Sequence, residues 1–173
     1  MNPQQFTTKS QEAIQRAHLL AHENGQPQIE PAHLFFALLE QEEGVVVTVL
    51  KKLNINPLHL KAGVQVLIDQ LPKTVEQPGG GIGQIFMGHD MAHILNAAGQ
   101  EMQQMGDQYV STEHLLLAYF KTGSPLEPLF QKHDLNHEQV LKVLATVRGT
   151  ETVDSPEPEG KYQVLEKYAK NLT

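Results

Sequence analysis

The chain has 173 residues, 40% of them hydrophobic, with a formal net charge of −7 and no cysteine. That apolar content can bury a core in one sizeable domain or two small ones. The cysteine count excludes disulfides, thiolate metal sites and a cysteine nucleophile; the acidic balance argues against nucleic acid as a partner; no run of about 18 apolar residues is present to span a membrane.

Thr7 or Thr8 opens a first helix, and Thr8 with Gln11 has capping-box spacing. Ala13, Ile14, Ala17, Leu20 and Ala21 follow at helical period, and Asn24-Gly25 stops the run. Pro31 starts a second helix with Leu34, Phe35, Leu38 and Leu39 on its buried face. Val45 to Leu53 reads as a third helix, although its valines also suit a strand. Asn56-Pro57 opens a fourth, through Val64, Leu67 and Ile68 to Leu71.

Residues 72–88, PKTVEQPGGGIGQIFMG, read as a flexible linker. Their glycines do not make a phosphate loop. Counting from Gly81, the third glycine of G-x-G-x-x-G falls on Phe86, and no G-K-[ST] follows. The helical pattern then resumes. Met91, Ile94, Leu95, Ala98, Met102 and Met105 form one face, ended by Gly106. Ser111 caps the next helix, with Leu115, Leu116, Ala118 and Tyr119 on its face. A short helix around Leu126 to Gln131 is interrupted by Pro128, and Asn136 with Gln139 opens a last one through Val140, Val143, Leu144 and Val147 to Gly149.

The second half restates the first. IEPAHLFFALLE at 29–40 and VSTEHLLLAYF at 110–120 share a pattern, and His114 minus His33 gives an offset of 81. The same offset relates Gly25 to Gly106 and Ile29 to Val110, and with one residue deleted Asn56 matches Asn136. The expected fold is all-α, a pseudo-twofold tandem repeat of two four-helix units. Repeat one is 1–71, the linker 72–88 and repeat two 89–149. The acidic, proline-containing stretch 150–160 is expected to be a mobile linker, and 161–173 to begin a further helical segment. A groove at the seam between the copies is a natural ligand site.

Catalytic chemistry is hard to place. The serines suit caps and linkers, no carboxylate pair forms an acid/base couple, and no G-x-S-x-G is present. His18/His22, His89/His93 and His133/His137 have i, i+4 spacing, but no H-E-x-x-H or third ligand accompanies them, so no metal is expected. His33 and His114 are expected to hydrogen-bond backbone near a helix start. Nothing at the N-terminus resembles a secretory leader, and a cytoplasmic protein is expected.

The doubled unit carrying IEPAHLFFALL and VSTEHLLLAYF resembles the N-terminal domain of the Clp/Hsp-hundred chaperone ATPases. FTTKSQEAIQRAHLLA at 6–21, LPK at 71–73 and YQVLEKYAKNLT at 162–173 resemble the disaggregase branch, whose members use the last phrase to enter their first AAA+ module. The resemblance implies a non-catalytic domain that binds unfolded or aggregated polypeptide for an AAA+ pore. It implies no cofactor in this chain, and ATP and Mg in a full-length homohexamer working with the DnaK system. The chain by itself is expected to be a monomer. The alternative is the protease branch, whose N-domains dock adaptor proteins. Matching FTTK and GDQYVSTE carries the family's substrate-handling residues onto Thr7, Asp107 and Glu113, and a family serine onto Gly88. Thr7, Asp107 and Glu113 have plain readings too: a helix cap, a turn residue and a first-turn acid. The resemblance also places family groove leucines at Ala97, Glu101 and His114.

Overall fold

A computed structural model describes residues 5–74, 86–149 and 151–158. Most of the expected 72–88 linker, at 75–85, and the expected segment 161–173 lie outside the described residues. Repeat one consists of α1 (Thr8–Glu23), α2 (Pro31–Glu40), α3 (Val45–Lys52) and α4 (Pro57–Asp69). Repeat two consists of α5 (His89–Gln104), α6 (Thr112–Tyr119), α7 (Glu127–Lys132) and α8 (His137–Arg148). Two two-residue strands, β1 (Gln28–Ile29) and β2 (Phe86–Met87), complete the regular structure among the described residues.

The internal duplication extends to single hydrogen bonds. Gly25 and Gly106 follow α1 and α5 at φ 67° and 72°, the left-handed region where a side chain is strained. Gln26 N–H donates to the Ala21 carbonyl and Asp107 N–H to that of Met102. With the one-residue deletion, Asn54 and Asp134 match at φ 61° and 55°. Asn56 and Asn136 then cap α4 and α8 with their side chains.

Helices α2 and α6 are mates and form the centre. Every residue of Pro31–Leu39 and of Thr112–Tyr119 is buried. A helix apolar or enclosed all round needs neighbours on every side. Here α1 and α4 pack on α2, α5 and α8 on α6, and across the seam α1 meets α6 as α2 meets α5. Helix α4 approaches α7 closely at Gly63, where a Cβ would stand 2.7 Å from Leu129 Cδ1. An aromatic cluster also crosses the seam. Phe35 of repeat one lies 5.1 Å from both the Tyr119 and Phe130 rings of repeat two.

The two repeats also exchange their lead-in segments. β2, just before α5, runs parallel to β1 of repeat one, with Gln28 opposite Phe86 and Ile29 opposite Met87. Phe6, just before α1, forms a parallel bridge with Val110 of repeat two. Gly88 N–H donates to the Ile29 carbonyl at 3.3 Å, as its mate Thr7 donates to the Val110 carbonyl at 3.0 Å. Each repeat's first helix is thus anchored on the other repeat.

Val45–Lys52 is helical, as expected, despite its valines, because Val45, Val46, Val47, Val49 and Leu50 are all buried; tertiary packing overrides a weak propensity. Three local expectations are corrected. Thr7, not Thr8, caps α1, its Oγ1 accepting from Ser10 N–H at 3.2 Å. Pro128 sits in the first turn of α7 and opens that helix instead of interrupting it. Residues 151–158, expected to be mobile, lie along the domain as a strap. Val153 is fully buried, its carbonyl accepts from Gln108 N–H at 2.8 Å, and the Pro156 carbonyl accepts from Thr8 N–H at 2.8 Å.

Candidate functional site

Two features stand out, a polar corner and a groove. The corner begins with helix starts. α2 and α6 both place histidine at their third position, where its ring reaches back to the N-cap amide. Glu30 N–H donates to His33 Nδ1 at 2.9 Å, and Ser111 N–H donates to His114 Nδ1 at 2.8 Å. This is the backbone role expected of both histidines, a capping box built with imidazole. With Nδ1 an acceptor, the proton sits on Nε2. In repeat one it faces Gln26 Oε1, and in repeat two it faces Asp107 Oδ2 at 2.7 Å. Gln26 and Asp107 are mates, so one architecture ends in an amide in one copy and a carboxylate in the other.

Burial lowers the His33 pKa to about 4. His114 is also lowered by burial, with the Asp107 carboxylate partly offsetting it. A buried neutral histidine makes stability rise with pH, since the unfolded chain takes up a proton near pH 6.5 that the folded chain refuses. Acidification from about pH 6.5 toward 4 is therefore expected to cost about 3 kcal/mol through His33. Thermal midpoints across that range, compared with His33→Gln, check it. The variant should show a visibly shallower dependence, and an unchanged slope would exclude His33 as the source.

Asp107 gathers more partners than its mate. Oδ1 accepts from Arg148 Nη2 at 2.7 Å and from Val153 N–H at 2.9 Å, beside the His114 bond on Oδ2. Glu113 is fully buried, and its Oε1 accepts from the Ser111 hydroxyl. Thr7 is buried too, its amide bonded to Val110 inside the same loop. Thr7, Asp107 and Glu113 are thus brought to one corner, as internal side chains. Gly88 lies at the corresponding corner of the other repeat and caps α5 with no side-chain bond. Its backbone needs no glycine, at φ −68°. A Cβ there would stand 3.0 Å from Gln28 Oε1 and 3.1 Å from Glu30 Oε1, so a serine requires those side chains to shift slightly.

The groove lies on the pseudo-twofold, between α1 and α5, with a volume of about 450 Å³. Phe6, Gln11, Ile14 and Gln15 line it from repeat one. Met87, Ala92, Leu95 and Asn96 line it from repeat two. These are four mate pairs at the offset of 81, and none of the eight is charged. At its edge Met87 is 46% exposed, and Phe86 beside it is 59% exposed. Ala97, Glu101 and His114, expected in a groove, are buried elsewhere; Glu101 Oε1 pairs with His137 Nε2 at 2.9 Å. Ile14 and Leu95 were visible only as helix-face residues. What marked them was their position at the edge of two stripes that repeat at 81. A smaller cleft of about 130 Å³ is lined by His89, Asp90, His93 and Thr122 to Ser124. The Nε2 atoms of His89 and His93 are 3.0 Å apart, yet no three metal-ligating groups converge among the described residues. No helix of the described residues is long and apolar enough to cross a membrane.

Residues 5–133 match the Clp repeat (R) N-terminal domain. The chain belongs to that family. Its fold is that of other Clp N-domains. The crystal structure of the Hsp104 N-terminal domain from Candida albicans superposes with a TM-score of 0.76 at 21% identity, covering 89% of this chain and 98% of that one. A complex of the ClpV N-domain with a VipB peptide gives a TM-score of 0.64 at 18% identity, covering 82% and 86%. In sequence, chaperone protein ClpB of Bdellovibrio bacteriovorus is 40% identical over 169 residues, 97% of this chain and 19% of that protein. ClpB of Bacillus anthracis is 36% identical over 172 residues, 99% of this chain and 20% of that protein. This Clp N-domain therefore spans about a fifth of the relatives it matches.

Proposed function

We propose that this domain is the client-recruiting N-terminal module of a ClpB-type disaggregase. It binds unfolded or aggregated polypeptide and passes it to the pore of AAA+ modules. In that reading the chain itself is non-catalytic, and ATP and Mg belong to the rest of a hexameric, cytoplasmic protein working with the DnaK system. The observation that carries it is the uncharged groove. Phe6, Ile14, Met87 and Leu95 supply apolar contact, and Gln11, Gln15 and Asn96 supply amides that can meet a peptide backbone whatever its side chains. Such contact is weak and quickly reversed, as handing a client onward requires. The complex of the ClpV N-domain with a VipB peptide supports an N-domain of this fold binding a chain segment. The likeness to ClpB at 36–40% favours the disaggregase over the adaptor-docking branch.

Thr7, Asp107, Glu113 and Gly88 serve client handling from behind the groove. Thr7 and Gly88 cap the two wall helices, and Asp107 and Glu113 fix the loop on which residues 5–7 lie. The test is an NMR titration with an unfolded, apolar-rich protein. Shifts should cluster on the groove, and the double variant Ile14→Asp, Leu95→Asp should weaken binding at least tenfold while the domain stays folded, as its helicity and amide dispersion show. Shifts confined to another face, or undiminished binding by the variant, would overturn the assignment.

A further inference from the structure

We propose that the groove accepts one and the same unfolded segment in either chain direction. The inference rests on the groove being the client site. A peptide rotated by 180° about the pseudo-twofold keeps its sequence and chirality but runs the opposite way. The surface it then meets is nearly the one it left, because each lining residue is replaced by its mate. Phe6 is exchanged for Met87 and Ile14 for Leu95, apolar for apolar. Gln15 is exchanged for Asn96, amide for amide, and only Gln11 for Ala92 changes class.

The flanks obey the same rotation. The wall helices start from equivalent backbones, with Thr7 at φ −64°, ψ 162° and Gly88 at φ −68°, ψ 162°. Both lead-in segments form parallel pairs with the opposite repeat. The lining carries no charge, so no ion pair with a peptide terminus or side chain fixes polarity. A tenfold preference for one direction needs about 1.4 kcal/mol, and a single unlike pair of neutral side chains is a small source for it. Direction-blind capture suits aggregates, in which segments present themselves with either polarity.

The probe is a ten-residue peptide of Val, Leu, Ser and Gln, extended over roughly 33–36 Å, with a nitroxide on an added cysteine at one end. The chain's own lack of cysteine leaves the label unambiguous. With the label at the peptide N-terminus, the amides of Gln15 and of Asn96 should both broaden, within about threefold of each other. Moving the label to the C-terminus should reproduce that pattern. Broadening of one amide that switches to the other when the label moves means a single direction and overturns the inference. A second measurement separates flipping from sliding. With Gln15→Lys and a Glu at the peptide N-terminus, broadening should collapse onto the Gln15 side, whereas a two-sided pattern that persists means sliding and overturns it. Absence of any shift or broadening overturns the client site itself, and this inference with it.

Discussion

Replacing Asp107 by alanine is expected to destabilise the domain by about 3–5 kcal/mol, a fall in melting temperature on the order of 10 °C. The carboxylate is enclosed, and three donors from distant parts of the chain converge on it: His114, Arg148 and the Val153 amide. Removing it takes the acceptor from a buried guanidinium and from two buried N–H groups at once. Those lost acceptors, more than any intrinsic strength of the ion pair, set the size of the effect. The titration of Asp107 agrees. Burial alone would raise its pKa, but the His114, Arg148 and Val153 donors more than offset that and hold it at about 2. A depressed carboxyl contributes stability above its unfolded value near 3.9, lost as the pH falls toward 2. Alanine should therefore flatten the acid limb of the stability profile as well as lower it.

Asparagine at 107 separates charge from shape. Its Oδ1 can still accept from Arg148 and Val153, but its Nδ2 would face the His114 Nε2 proton. It should fall between native and alanine in stability and keep the strap docked. Hydrogen exchange at the Gln108 and Val153 amides reads the strap directly. Both should exchange faster in Asp107→Ala at a temperature where the rest of the domain stays protected. A loss below about 1 kcal/mol, with the strap amides unchanged, would mean that solvent replaces the carboxylate at no cost, which its burial contradicts.

That cluster also shows where the sequence stops being legible. The duplicated helices could be read from glycine stops, capping asparagines and stripes of period 3.6, because each of those signals is local. The histidines at 33 and 114 could be read as helix-start bonds for the same reason. Arg148 could not be read as the partner of Asp107, which lies 41 residues away, because nothing local links the end of one helix to a turn after another. Val153 is one apolar residue in a polar, acidic stretch and makes no periodicity, so the strap looked solvated. The groove was foreseen as a seam between copies, but its walls were misplaced. Carrying a family register onto Ala97, Glu101 and His114 pointed at residues facing the interior. The offset of 81 applied to Phe6 and Ile14 leads directly to Met87 and Leu95.

Phe35→Ala is expected to have an effect of the same size, about 3–5 kcal/mol, for a different reason. Phe35 is completely enclosed, and its ring meets Tyr119 edge-on and Phe130 at a tilt. Tyr119 is itself fixed by its hydroxyl donating to the Pro31 carbonyl at 2.6 Å, back across the seam. The mates of these residues do not repeat the cluster: Phe35 corresponds to Leu116 and Tyr119 to Leu38. The duplicated unit has thus concentrated its aromatic packing at one point between the copies, and truncating Phe35 opens a cavity that neither repeat can close alone. Leu38→Ala, within repeat one, also creates a cavity, but it leaves all three rings in place. If the seam holds the domain together, Phe35→Ala should unfold in a single transition at lower temperature and lose protection in α2 and α6 together. Two separate transitions, or protection lost in repeat one alone, would mean that each four-helix unit stands by itself. The exchanged lead-in segments, which anchor the first helix of each repeat on the other, argue for the single transition.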